Sequence, residues 1–205
     1  LGINPETKLV MYVGRFDKRK GIETLVRAVG QSQLLGSDNF KLIVCGGSRP
    51  GKSDGKERDR IEKIVGELGI TQMTEFPGRI SQKDLPSYYA AADVCVVPSH
   101  YEPFGLVAIE AMASYTPVVA SDVGGLQFTV VSGETGLLAP PQDVPAFANA
   151  IDQILLGTQW GEKLGQAARK RVENKFSWDG VAMQLSELYN NLLRQSVEQP
   201  MVANS

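Results

Sequence analysis

The chain has 205 residues, 42% hydrophobic and 21% charged, which suits one soluble globular domain large enough to enclose a proper core. Its formal net charge of −2 excludes the broad basic field that a long nucleic-acid surface requires. With His100 as the sole histidine, a histidine-rich metal site is excluded and a Ser-His-Asp triad would rest on one residue; no apolar run reaches the ~20 residues that span a bilayer.

The first apolar run, residues 9–13 (LVMYV), is the first expected strand. It lies so near residue 1 that the chain reads as a domain cut from a longer protein at a linker. The following loop, VGRFDKRKG, has Gly14 for a tight turn, Arg15 at the carboxyl end of the strand, and Lys20 at the start of the next helix. A helix N-terminus disfavours a cation, so Lys20 is explained either by a bound anion or by a solvated charge cluster. Ile22, Leu25, Val26 and Val29 then follow the helical period.

Residues 41–45 (KLIVC) form the second expected strand and lead into GGSRPGKS, Gly46 to Ser53, which fits the Walker pattern G-x-x-x-x-G-K-[ST]. Pro50 removes a backbone donor from the middle of that loop, and the charged DGKERDR segment after Ser53 contains Gly55, so the apolar period starts only at Ile61 and continues through Ile64, Val65 and Leu68. The segment is therefore read as a glycine-rich loop bordering a ligand cleft, with a P-loop NTPase as the alternative; Val118 to Asp122 (VVASD) would be its weak Walker B segment. Cys45 and Cys95, each in a Val-rich run, read as buried core thiols.

A short run at 73–76 (MTEF) is the third expected strand, followed by a loop that can face a base and by a helix from Gln82 to Ala91 with Ser81 as N-cap. Residues 94–97 (VCVV) and 117–120 (PVVA) are the fourth and fifth strands, flanking the helical AIEAMA at 108–113. Small residues in SDVGGLQ open a further helix. Helices are expected from Val144 to Leu156, from Gln159 to Lys175, and from the N-cap Ser177 to about Arg194, before a polar, frayed tail. Strands alternating with helices predict a doubly wound, parallel α/β sheet with right-handed crossovers, binding its ligand at the carboxyl ends of the strands.

The loop after the fourth strand, PSHYEPFGLVAIEAMA, carries the strongest chemical signal. Phe104, Gly105, Leu106 and Val107 can donate backbone N–H groups at a helix start, and Pro103 cannot. That end suits a diphosphate. Glu102 lies just ahead of it, and Glu110 lies on the same helix face as Leu106, leaning back toward the N-terminus. Carboxylates repel phosphate and accept from sugar hydroxyls, so the ligand expected carries both groups.

G-R-x-x-x-x-K-G at Gly14 to Gly21, together with E-P-F-G-L-x-x-x-E at Glu102 to Glu110, resembles the retaining glycosyltransferases of family 4, over nearly the whole chain. The wording SHYEPFGLVAIEAMAS is similar to their bacterial sucrose-phosphate-synthase branch. The resemblance implies the Rossmann-like C-terminal half of a GT-B fold with extra C-terminal helices. Residues 1–176 would form the nucleotide-sugar donor-binding domain, 177–195 a helix crossing to an N-terminal domain of the same protein, and 196–205 the tail. It also implies residue roles. Arg15 and Lys20 would neutralise the donor diphosphate, and Glu102 would hold donor-sugar hydroxyls. Glu110 would hold the ribose; Gly14 would shape the turn; Phe104, Gly105, Leu106 and Val107 would contact sugar and phosphate; Arg79 and Ile80 would border the base. No metal or other cofactor would be needed, because cations and a helix end replace Mg²⁺. The acceptor would be a sugar or sugar phosphate, and the compartment the cytoplasm, since no signal peptide is visible. A nucleotide-sugar binding module without turnover is a further alternative. One departure stands out: the family has A-x-G-x-P-V-V where this chain has ASYTPVV, so Tyr115 occupies a helix-capping glycine position at an expected cost of roughly 1–2 kcal/mol. Tyr115→Gly is accordingly expected to raise the melting temperature.

Overall fold

The computed structural model describes residue 2 and residues 4–198. Six parallel strands, β1 (Lys8–Val13), β2 (Phe40–Cys45), β3 (Thr74–Gly78), β4 (Val94–Val97), β5 (Val118–Ser121) and β6 (Gly136–Ala139), form one sheet in the order β3-β2-β1-β4-β5-β6. This is the doubly wound Rossmann order, whose direction reverses between β1 and β4. Pro77 is tolerated because β3 is an edge strand.

Helices cover both faces: α1 (Ile22–Val29), α2 (Ser53–Glu67), α3 (Leu85–Ala91), α4 (Leu106–Ala113), α5 (Leu126–Thr129), α6 (Val144–Leu156), α7 (Thr158–Lys175) and α8 (Trp178–Glu198). The two-residue period of β1 divides the core. Val10 and Tyr12 pack with α1, α2 and α6 on one face, and Leu9 and Met11 with α3, α4 and α7 on the other. Every residue of β4 and β5 is buried, as a strand covered on both faces requires. Cys45 and Cys95 are buried free thiols, and burial pushes the Cys45 thiol up to about 12.

Two features of the fold differ from the sequence reading. A sixth strand, β6, follows β5. Its GLLA sequence is short, and a side chain at Gly136 would collide with the Val118 carbonyl, so packing against β5 rather than β-propensity makes it a strand. The helix after GGSRPGKS begins at Ser53, so its first turns are the charged segment and the apolar period enters only at Ile61, as the sequence implies. The ion pairs Arg49–Asp54, Arg58–Glu62 and Arg60–Glu57 support its polar first turns. Gly55 there is buried, and a Cβ on it would strike the Arg49 carbonyl. The second difference is that Ser81 does not cap a helix from Gln82. Its hydroxyl binds Asp84, the chain turns through residues 82–84, and α3 starts at Leu85.

The C-terminal helices agree with the sequence reading to within a residue at their starts. The Ser177 hydroxyl accepts from Gly180 N at 3.0 Å and opens α8, which runs past Arg194 to Glu198. The rest of the expected frayed tail lies outside the described residues.

Candidate functional site

The loops leaving β1 and β4 meet at the switch point, and backbone contacts lock them together. Asp17 accepts from Arg19 N and opens a 3-10 turn, Lys18–Lys20, whose cap is Gly21 with φ 68°. A Cβ at Gly21 would collide with the Pro98 carbonyl, and His100 N donates to Arg19 O at 2.8 Å. Hydrogen bonds from Arg19 hold the Asp17 carboxyl well below the usual range, at about 2. The side chains then converge: Lys20 Nζ lies 2.6 Å from Glu102 Oε2, with both groups mostly covered. Between them and the core, the Tyr12 hydroxyl donates to Arg15 O at 3.2 Å. Burial, with the Asp17 and Glu102 carboxylates nearby, pushes its phenol far up.

Beside this pair, Gly105 takes φ 86° and caps α4. Its carbonyl accepts from Ala108 and Ile109, whereas the N–H groups of Phe104, Gly105, Leu106 and Val107 have no acceptor among the described residues. Those donors and the positive end of α4 form an anion-binding surface. The glycine is required here, because a side chain at position 105 would strike Leu126 as well as strain the backbone.

On the other side of Arg15, Val13, Gly14, Arg15, Gly46, Gly47, Ser48, Arg49, Arg79 and Ile80 are among the residues around a cleft of about 740 Å³. The carboxyl ends of β1 and β2 approach so closely that a Cβ at Gly46 would collide with the Gly14 carbonyl. Arg49 is paired with Asp54 at 3.1 Å, while among the described residues Arg15 and Arg79 have no carboxylate at ion-pair distance. The cleft is therefore cationic and open to an anionic ligand.

The expected site residues fall into two adjoining groups, Gly14, Arg15, Arg79 and Ile80 around the cleft, and Lys20, Glu102 and Phe104 to Val107 at the head of α4. Glu110 sits on α4 with Oε2 accepting from the Tyr89 hydroxyl at 2.9 Å. The Walker-like loop is split: Gly46 to Arg49 border the cleft, but Ser53 lines a separate hollow with Phe16, Asp17, Lys18 and Lys56.

Sequence reasoning missed the second support of the Glu102–Gly105 loop. Gly125 N donates to Glu102 O at 2.9 Å, and side chains at Gly124 or Gly125 would collide with that loop's backbone. The Thr129 hydroxyl lies 2.9 Å from Phe104 O. The glycine pair in SDVGGLQ was the available signal, and only the fold shows what it packs against. Ser48, Arg49 and Asp54 were also not singled out as cleft residues.

An open sheet of this order, with a cationic cleft at the carboxyl ends of β1, β2 and β3 beside its switch point, defines a Rossmann-like α/β domain of the kind found in GT-B glycosyltransferases. Residues 1–171 match the family described as Glycosyl transferases group 1, and the chain belongs to that family. It is 40% identical over 200 residues to the D-inositol 3-phosphate glycosyltransferase of Corynebacterium diphtheriae, covering 97% of this chain and 46% of the relative. An uncharacterized glycosyltransferase of Methanocaldococcus jannaschii is 37% identical over 191 residues, 92% of this chain and 46% of its own. Among solved structures, sucrose-phosphate synthase from Thermosynechococcus elongatus superposes with a TM-score of 0.82 at 52% identity, over 95% of this chain and 47% of that one. Anabaena HepE in complex with UDP and glucose gives a TM-score of 0.79 at 26% identity, over 91% and 49%. The chain thus spans about half the length of the relatives it matches. Among the described residues no helix is long and apolar enough to cross a membrane.

Proposed function

We propose that this chain is the donor-binding half of a retaining family 4 glycosyltransferase that transfers a hexose from a UDP-sugar to a sugar or sugar-phosphate acceptor. The observation that carries this reading is the adjacency of a cationic cleft at the ends of β1 to β3 and, at the neighbouring switch point, the Lys20–Glu102 pair with four amides at the head of α4 that are unpaired among the described residues. Uracil is favoured because HepE, a structural relative, is solved with UDP. Sucrose-phosphate-related chemistry is favoured by the 52% identity to a sucrose-phosphate synthase.

In this reading Arg15 and Lys20 hold the diphosphate, and their charge stabilises it as it departs. Glu102 accepts from hydroxyls of the donor sugar, Glu110 from the ribose, and Arg79 and Ile80 border the base. The acceptor attacks on the face the diphosphate leaves, and the departing phosphate takes its proton, so no protein nucleophile or metal is needed. The acceptor site belongs to an N-terminal domain of the same protein, onto which α8 crosses. The chain alone then binds donor and transfers sugar poorly. No nucleic acid takes part, and the setting is cytoplasmic.

Titration calorimetry with UDP, ADP and GDP, with and without Mg²⁺, tests this. UDP is expected to bind without metal, and Arg15→Ala to weaken it roughly ten- to hundredfold, the loss of one charge-assisted contact of about 1.5–3 kcal/mol. Unchanged affinity in that variant overturns the role of Arg15. Mg²⁺-dependent triphosphate hydrolysis abolished by Lys52→Ala would instead establish the P-loop alternative.

A further inference from the structure

Behind the Glu102–Gly105 loop, Arg171 of α7 engages α5, and Phe176, just past the end of α7, meets Phe104. Arg171 Nε donates to Thr129 O at 2.9 Å and Nη2 donates to Phe128 O at 2.5 Å, so one guanidinium binds the last carbonyls of α5. The same guanidinium lies 5.9 Å from the ring centroid of Phe128 and 5.7 Å from that of Phe176. Phe176, at the end of α7, meets Phe128 edge-on at 6.3 Å and Phe104 edge-on at 6.3 Å and 88°. The buried Thr129 hydroxyl lies 2.9 Å from both Phe104 O and Gly125 O and donates to one at a time. Two routes therefore run from Arg171 to Phe104: one through Thr129, the other through the Phe176 ring.

These contacts contribute little to the global core, because Phe104 is 48% and Phe128 67% exposed. Their geometry is nonetheless specific. Edge-to-face rings and a cation over two ring faces fix orientation as well as proximity. What they orient is the peptide between Phe104 and Gly105, which follows Glu102 and itself carries one of the unpaired amides.

We propose that Arg171 and Phe176 are positioning residues for the donor, holding the Glu102–Gly105 loop so that its amides and the Glu102 carboxylate present one fixed surface. This rests on the reading of that loop as part of the donor site. Neither residue touches the ligand; each acts through Phe104 and Thr129.

Arg171→Met and Phe176→Leu test it, with Phe176→Tyr as the conservative variant that keeps the ring. Val172→Ala, in the buried core of α7, serves as a purely structural control. Two quantities are read in each folded variant: the ¹⁵N order parameter of the Gly105 amide without ligand, and the UDP-glucose dissociation constant by calorimetry. Arg171→Met and Phe176→Leu are expected to lower the order at Gly105 and weaken UDP-glucose about two- to thirtyfold. Phe176→Tyr stays near the parent, and Val172→Ala lowers the melting temperature with both quantities unchanged. Unchanged Gly105 order in Arg171→Met and Phe176→Leu overturns the proposal, as does lowered order with unchanged affinity. If the parent chain binds no UDP-glucose, the donor reading fails, and the proposal for these residues as donor-positioning groups falls with it. The Gly105 order parameter then still shows whether α7 holds the loop.

Discussion

Tyr115 follows α4 with φ 62°, a backbone that L side chains adopt at a cost of roughly 1–2 kcal/mol. Sequence alone made this a site where glycine should stabilise. The structure adds two opposing contributions. The Arg169 guanidinium lies 5.5 Å from the Tyr115 ring centroid, and such an exposed contact contributes about 0.5–1 kcal/mol. A glycine also gives the unfolded chain more freedom, which costs roughly 0.5–1 kcal/mol. The three nearly cancel, so Tyr115→Gly in the parent chain changes stability by less than about 1 kcal/mol. In an Arg169→Ala background the ring has no cation to lose, and the same substitution should be more favourable by the size of that contact. A double-mutant cycle of denaturant melts checks it, and zero coupling would show that the cation contributes nothing.

Among the elements, the loop after β5 determines how well the β4–α4 loop is built. Gly124 has φ 48°, and a Cβ there would strike the Glu102 carbonyl, whereas Gly133 has φ 83° with open space around it. Gly133→Ala therefore costs only the strain of a left-handed residue, roughly 1–2 kcal/mol, and leaves ligand affinity alone. Gly124→Ala must also displace the backbone of Glu102, so it should lower the melting temperature further and weaken UDP binding. Melts and calorimetry on the pair separate strain from displacement. Equal effects of the two substitutions on affinity would mean that the β5 loop does not support the site. The same contrast shows what was legible. Local patterning located β1, β2, β4 and β5 because their runs are apolar on both faces. β6 escaped it because GLLA becomes a strand only through its neighbour β5.

Across the whole molecule, α8 is the helix with the most exposed apolar surface among the described residues. Its main neighbour is α7, and Trp178, Leu185, Leu188, Tyr189 and Leu192 are exposed along it. They lie on the helix proposed to cross onto an N-terminal domain, and an apolar face of this kind associates weakly when unpartnered. Sedimentation velocity on the chain alone should show concentration-dependent self-association. Leu188→Asp with Leu192→Asp should abolish it without changing UDP affinity, because α8 lies outside the cleft. A chain that stays monomeric at high concentration would count against an interface on this face.

The α/β class, five of the strands, the starts of the C-terminal helices to within a residue, and the loops that carry Gly14, Arg15, Lys20, Glu102 and Gly105 are legible in the amino-acid order. Those features are local: apolar periods, glycines at turns, and donors at a helix start are written in neighbouring residues. Tertiary structure alone decided that Lys20 and Glu102, 82 positions apart, form one ion pair. It also decided that the Walker-like loop is divided between two hollows, that Glu110 is held by Tyr89, and that Arg171 reaches behind the β4–α4 loop. Each of these depends on which strand ends the sheet order brings side by side, and that order is fixed by packing on both faces of the sheet, which no single stretch of sequence contains.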